Sequence, residues 1–245
     1  MYKKNKLLIF MLAIMSLSAT VANAQYDGGK CGLDLSWFYD STTGKLDIST
    51  DFQGYMHYEG EAPWHYYRNN IISVSFEGDV RSIRDGAFAQ CSRLTSVVIP
   101  NSVESIGFGV FADCTGLTSV TIGSSVTSIG DYAFVGCTAL THVINNQYEP
   151  QVIDTYVFSP ETYANATLYV PVSSYSEYIT ATGWQNFNNI QPIENLVDMK
   201  VSEEDIMVVQ IVSYYSLSGQ KLPQEPQKGM YIILYDNGKT KKVIK

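Results

Sequence analysis

Three histidines, four cysteines and one glycine-rich stretch are the residues of this chain with chemistry to offer. His57, His65 and His142 would serve as acid-base groups or zinc ligands if they clustered, but no H-E-x-x-H pattern and no close Cys/His spacing joins them. They read as isolated surface side chains. Gly107-Phe108-Gly109-Val110-Phe111-Ala112 fits the loose pattern G-x-G-x-x-A that opens a dinucleotide site. Tyr132 stands where the next repeat should return Gly109, however, and no βαβ unit surrounds the stretch. Cys91, Cys114 and Cys137 are of another kind, because they are 23 residues apart. Such a spacing makes them adjacent rungs about 4.8 Å apart, within the Cα range of a disulfide. Parallel Cβ directions and an odd third member argue against a bridge. Free thiols acting as small buried apolar residues are the expectation, and no catalytic residue, metal site or cofactor is expected.

The elements that hold these cysteines repeat with them. Phe88, Phe111 and Phe134 share the 23-residue spacing, as do Leu94/Leu117/Leu140, Val97/Val120/Val143, Ile99/Ile122, Val103/Val126, Ile106/Ile129 and Gly107/Gly130. Leu94-x-x-Val97-x-Ile99 and Leu117-x-x-Val120-x-Ile122 carry the L-x-x-L-x-L core of a leucine-rich repeat, in which each turn brings one short strand. One turn alone cannot fold, since its few apolar side chains do not offset roughly 1 to 2 kcal/mol of backbone entropy per ordered residue. Stacking covers each apolar row on both sides. The expected fold class is thus a β-rich α/β repeat solenoid, a right-handed superhelix of 23-residue turns with an N-terminal β-hairpin cap and a small C-terminal β module.

The pattern extends unevenly in both directions. Ile71, Val74, Phe76, Val80 and Ile83 stand 23 residues before Leu94, Val97, Ile99, Val103 and Ile106, so a first turn begins near Ile71. After Leu140 the register slips by one, putting Phe158 where Val157 would fall, and Asn145 replaces the third apolar strand residue. Leu168-Tyr169-Val170-Pro171 repeats Val97-Val98-Ile99-Pro100 and reads as the last of about five strands. Tyr175, Tyr178, Ile179, Thr182 and Trp184 have the spacing of a short helix closing the open end. Before the repeats, Leu33 to Tyr39 and Lys45 to Ser49 alternate around Asp40-Ser41-Thr42-Thr43-Gly44 as a β-hairpin. Trp64, His65, Tyr66 and Tyr67 offer either a sugar-stacking platform or, the preferred reading, a packed junction between this cap and the first turn.

Both termini read as separate segments. Lys3, Lys4 and Lys6, the apolar run Leu7 to Met15 and Ala22-Asn23-Ala24 form a signal peptide with cleavage after Ala24; nine apolar residues are too few to span a bilayer, which takes about 20. Its removal takes 16 basic residues to 13 against 24 acidic ones, a net charge of −11, which repels phosphate backbones and excludes nucleic acid as a partner. The mature chain holds no further apolar stretch of membrane length. Beyond Pro192 a polar linker precedes strand-like runs at Met207 to Val212, Tyr214 to Leu217, Met230 to Tyr235 and Lys239 to Ile244, with Ser218-Gly219 and Asn237-Gly238 as turns. Lys239, Lys241, Lys242 and Lys245 there either address an export machine or protect an exposed strand edge. The expected organisation is a signal peptide at 1–24, an N-terminal cap at 25–70, repeats with a C-terminal cap at 71–192, a linker at 193–205 and a β module at 206–245.

The turn from Ala87 through Phe88, Cys91, Leu94, Val97, Ile99, Pro100, Val103 and Ile106 to Gly107 resembles the BspA-type leucine-rich repeat of bacterial surface and secreted proteins. Cys31-Gly32, Gly44-x-Leu46-x-Ile48-Ser49 and Ala62-Pro63-Trp64 are similar to the segment that often precedes such repeats. Tyr215-Ser216-Leu217-Ser218-Gly219-Gln220, Gly229 to Ile233 and Lys242 to Lys245 are similar to C-terminal sorting modules of Bacteroidetes-type secreted proteins. The resemblance implies an exported, non-catalytic interaction or adhesion protein, on the cell surface or secreted, with the periplasm as the alternative address. It implies a protein or polysaccharide ligand, host molecules included. A structural or assembly component of the envelope is the second reading, and a hydrolase a distant third.

Alternation along the strands marks the expected contact surface. Ser73 and Ser75, Ser96 and Val98, Ser119 and Thr121, and His142 and Ile144 lie between inward-facing residues and should form one small, flat, uncharged face.

Overall fold

A computed structural model describes residues 26–193 and the strands at 211–215, 221–222, 230–235 and 240–244. The expected signal peptide, most of the polar linker and the turns Ser218-Gly219 and Asn237-Gly238 lie outside the described residues.

Strand β2 (Leu35–Asp40) and strand β3 (Lys45–Tyr55) pair antiparallel as the expected hairpin. The Asp40 carboxylate closes its turn by accepting the backbone N–H of Thr42 and the hydroxyls of Thr42 and Thr43. Leu35, Trp37, Tyr39, Leu46 and Ile48 are buried, which is the inward half of the alternation. A strand the alternation does not reveal, β1 (Tyr26–Lys30), pairs with β2. Gly28 allows it to approach, because a Cβ there would stand 2.7 Å from the Trp37 carbonyl.

Strand β4 (Ser73–Ile83) joins this cap to the repeats. It runs parallel to β3 along most of its length, pairing Ser73 with Lys45, Ser75 with Asp47 and, after register shifts, Val80 with Gly54 and Ser82 with Tyr55. Its last residues, Ser82 and Ile83, pair with Ser105 and Ile106 of β6 (Ser105–Ile106), which pairs in turn with β8 (Ser128–Ile129). The strand between β4 and β6, β5 (Ser96–Val98), belongs to a second sheet. There it runs parallel to β7 (Ser119–Ile122), which pairs with β9 (His142–Asn145), then β10 (Thr167–Val170) and β11 (Asn189–Pro192). Residues 26–193 therefore build a six-stranded sheet ordered β1-β2-β3-β4-β6-β8 and a five-stranded sheet ordered β11-β10-β9-β7-β5. Val97 pairs with Val120 and Val120 with Val143, partners 23 positions apart.

The apolar rows stack into one continuous core. Ring centroids of Phe88, Phe111, Phe134 and Phe158 follow one another at 5.3, 5.4 and 5.1 Å, nearly parallel in orientation. Trp64 supplies the rung before Phe88: its buried indole stacks at 5.6 Å and its Nε1–H donates to the Ala87 carbonyl at 2.7 Å. The Trp64 end of the aromatic cluster is thus a packed junction, while Tyr66 is exposed. Hydroxyls run alongside, Thr118 donating to the Thr95 carbonyl and Thr141 to the Thr118 carbonyl, one rung back each time.

The unevenness after Leu140 has a physical cause. Asn145 sits opposite Ile122 in the ladder and is fully buried, so its amide needs partners. Its Nδ2 donates to Gln151 Oε1 at 2.9 Å, Gln151 Nε2 donates to the Val126 carbonyl at 2.6 Å, and Asn145 Oδ1 accepts the Gln147 N–H at 3.1 Å. This network carries the chain through an irregular loop until Phe158 regains the ring row. Helix α1 (Pro160–Asn165) then leads into β10.

Two expectations need correction here. The Leu168 strand is not the last, because β11 adds to it in parallel register. The helical spacing from Tyr175 gives only the single-turn helix α2 (Tyr175–Tyr178), followed by a 3-10 turn at Trp184–Asn186. Tyr178 and Trp184 are buried because their polar atoms reach backbone acceptors, the Gln147 carbonyl and the Gln151 carbonyl, both at 2.8 Å.

The C-terminal strands β12 (Ile211–Tyr215), β13 (Lys221–Leu222), β14 (Met230–Tyr235) and β15 (Thr240–Ile244) form an antiparallel sheet ordered β13-β12-β14-β15. Strand β12 runs through the expected break between Val212 and Tyr214, with a register irregularity between Ile211 and Ser213.

Candidate functional site

The residues with intrinsic chemistry remain apart. His57 is exposed, and His65 lies 3.1 Å from Glu61. His142 stacks on Tyr169 at 6.1 Å, with the Thr141 hydroxyl 2.8 Å from its Nδ1 and burial lowering its pKa. Among the described residues no group of three or more His, Cys, Asp or Glu side chains is placed to hold a metal ion. Gly107 to Ala112 forms a turn between β6 and β7 with no helix beside it.

All four cysteines are free and buried. Cys114 donates its S–H to the Phe88 carbonyl at 3.1 Å, and Cys137 to the Phe111 carbonyl at 3.2 Å. Hydrogen bonding to Cys114, with burial, pushes the Cys91 and Cys137 thiols up. Reactivity needs access as well as a thiolate, and the side chain of Cys114 is fully buried. Thiol titration under denaturing, non-reducing conditions should find four free thiols per chain, and reductant should leave the melting temperature unchanged. A native disulfide would contribute about 2 to 4 kcal/mol, so a reductant-sensitive melt would refute the thiol ladder.

The strand face differs from the single surface expected of it. Ser73 and Ser75 lie on β4 in the other sheet, where Ser75 donates its hydroxyl to Asp47 and Asp47 pairs with Lys45. They do not continue the row of Ser96. Thr121 and Ile144 are only 6% and 7% exposed. Each is flanked in register on both sides, Thr121 by Val98 and Ile144, and Ile144 by Thr121 and Tyr169. Neighbours at strand spacing fill the space that alternation alone assigns to solvent.

What remains open is the parallel row beside them. Ser96, Ser119, His142 and Thr167 are half-buried, Asn189 is exposed, and these five residues pair in sequence from β5 to β11. Asn189 Nδ2 donates to the Thr167 hydroxyl and Gln191 Nε2 to Asn189 Oδ1, both at 2.8 Å. Val98 is half-buried at the edge. Thr167, Asn189 and Gln191 are absent from the expected surface. The alternation around Leu168 is the signal that leads to Thr167, whereas Asn189-Ile190-Gln191 has no repeat signature. The surface is a hydroxyl and amide row on a rigid sheet, without a formal charge.

Residues 64–179 match the family described as BspA type Leucine rich repeat region, in six copies. That match begins at Trp64, the residue that supplies the first ring of the stack. The comparison with curated proteins gave no significant match. Among solved structures, a leucine-rich repeat protein from Eubacterium ventriosum is 20% identical over 86% of this chain and 49% of its own, with a TM-score of 0.47. The chain thus spans about half the length of that protein. A T. pallidum leucine-rich repeat protein is 17% identical over 65% of this chain and 81% of its own, with a TM-score of 0.34. A leucine-rich cell surface protein from Faecalibacterium prausnitzii is 16% identical over 86% of this chain and 63% of its own, with a TM-score of 0.26.

Proposed function

We propose that this chain, similar to BspA-type leucine-rich repeat proteins over residues 64–179, is an exported, non-catalytic binding or adhesion protein of a bacterial surface. The family match is the observation that carries the reading. In it the repeats form a right-handed superhelix of 23-residue turns, the N-terminal hairpin caps the first turn, and the C-terminal sheet is a sorting module. The signal peptide ends at Ala24. The contact surface is the open row Ser96, Ser119, His142, Thr167 and Asn189, a flat uncharged patch suited to many modest contacts with a protein or polysaccharide.

The test presents the mature chain to immobilised extracellular matrix proteins and glycans, and in parallel to envelope fractions of the organism that makes it. Ser96→Arg with Ser119→Arg should weaken binding about tenfold or more, because two bulky charges block a flat approach. Both side chains are half-exposed, so the melt should match the parent's. Unchanged affinity in the folded double variant would move the contact surface elsewhere. Binding to envelope fractions alone would favour a structural component of the envelope.

A further inference from the structure

Three further rings, 24 rather than 23 residues apart, face solvent beside the repeat. Phe108, Tyr132 and Tyr156 are 55%, 37% and 60% exposed, with ring centroids 5.3 and 5.6 Å apart. Tyr132 holds φ at +62°, and the equivalent positions one and two rungs back are Gly109 at +57° and Gly86 at +64°. Glycine suits this left-handed conformation and tyrosine is strained in it. A ring is therefore kept at a position where it costs local stability and gains only partial burial. Strain held in this way points to use rather than to folding.

The ribbon ends at a cleft of about 440 Å³. Tyr156 belongs to both, and Thr155, Tyr163, Asn186 and Asn188 line the cleft with it, with no charged side chain in its wall. The Tyr163 hydroxyl is buried there, facing Asn186 and the Phe158 backbone. Two nearby carboxylates are engaged in their own turns, Asp85 accepting the Phe108 N–H at 2.8 Å and Asp154 the Tyr156 N–H at 3.0 Å, while Asp131 is exposed beside Tyr132.

A neutral wall of amides, hydroxyls and aromatic faces offers nothing to balance an ionic ligand. It does match the two surfaces of a pyranose, whose C–H face packs on aromatic rings and whose hydroxyl rim hydrogen-bonds to amides and phenols. We propose that the ribbon and cleft bind a neutral oligosaccharide, one unit seated among Tyr156, Asn186 and Asn188 and the next lying along Tyr132 towards Phe108. This site is separate from the open row of the five-stranded sheet.

Affinity electrophoresis of the full mature chain through gels containing arabinoxylan, galactomannan or mixed-linkage β-glucan tests the assignment. At least one of these should retard the parent. Tyr156→Ala should reduce the apparent affinity about tenfold or more. Tyr132→Gly should also lose retardation while melting at or above the parent's temperature, because glycine relieves the strained backbone; a binding loss in that variant is not an unfolding effect. Ser96→Arg with Ser119→Arg should be retarded like the parent, which separates this site from the one proposed above. Absence of retardation in all three gels, or retardation unchanged in both ring variants, would overturn the proposal. So would ring-dependent retention on polylysine without retardation by glycans, which would make the ribbon a docking surface for a cationic protein segment.

Discussion

Ile106→Asp is expected to abolish the cooperative melt of the repeats at pH 8. Ile106 is 1% exposed and sits in register between Ile83 and Ile129, so its replacement puts a carboxyl into a row of isoleucines. A buried acid without a partner costs about 4 to 5 kcal/mol, comparable with the whole stability of many domains, about 5 to 15 kcal/mol. The sign of the pH dependence follows from the same burial. The introduced carboxyl would have a raised pKa in the folded state, so the folded chain binds more protons than the unfolded one. Its deficit relative to the parent should be full above the folded pKa and should shrink as the pH falls below it. Urea unfolding of parent and variant at pH 8 and pH 6 reads this directly, and a parent-like curve would place Ile106 outside the core.

Trp64→Ala should separate the melting of the N-terminal sheet from that of the repeats. The indole is fully buried and touches both sides of the junction: Trp37 at 6.1 Å and Tyr58 at 6.0 Å from the cap, Phe88 at 5.6 Å from the repeats. Truncating a buried tryptophan typically costs about 3 to 5 kcal/mol, and here the loss also strands the Ala87 carbonyl. A repeat array tolerates loss of a neighbour by unravelling locally. Calorimetry should therefore resolve a low transition for the cap and a later one for the body. Trp64→Phe keeps a ring in the stack, losing the hydrogen bond, about 1 kcal/mol, and part of the indole volume, and should retain one transition. A single parent-like transition in Trp64→Ala would show that other contacts carry the junction.

The repeat was legible because one physical demand recurs: each Phe, Leu, Val and Ile must meet its own copy a rung away. Trp64 was legible as part of a packed junction but not as a rung of the ring stack, because it stands 24 rather than 23 residues before Phe88 among the aromatic neighbours His65, Tyr66 and Tyr67. Strand β1 was not, since Gly28 and Gly29 carry no side-chain pattern and their place is set by the room they leave for Trp37. For the candidate surface, alternation gave the side of the sheet on which Thr121 and Ile144 lie. It could not give their exposure, which depends on Val98 and Tyr169 across the ladder. The ribbon of Phe108, Tyr132 and Tyr156 was hidden for a different reason. Its rings stand 24 residues apart, one out of step with the 23-residue period, and the substitution of Tyr132 for the glycine of the earlier turns marks a left-handed backbone position without indicating which way its ring points.

Strand β4 pairs with the cap strand β3 from Ser73 to Ser82 and with β6 of the repeats at Ser82 and Ile83. For a chain tethered at one end and gripping a ligand with its repeats, that makes β4 the link through which tension passes. Parallel rungs stacked side by side, each bonded only to its neighbours, detach in succession when pulled along the stack. Each freed 23-residue rung would release roughly 80 Å of slack. If so tethered, the body would lengthen in steps under load while the remaining rungs hold.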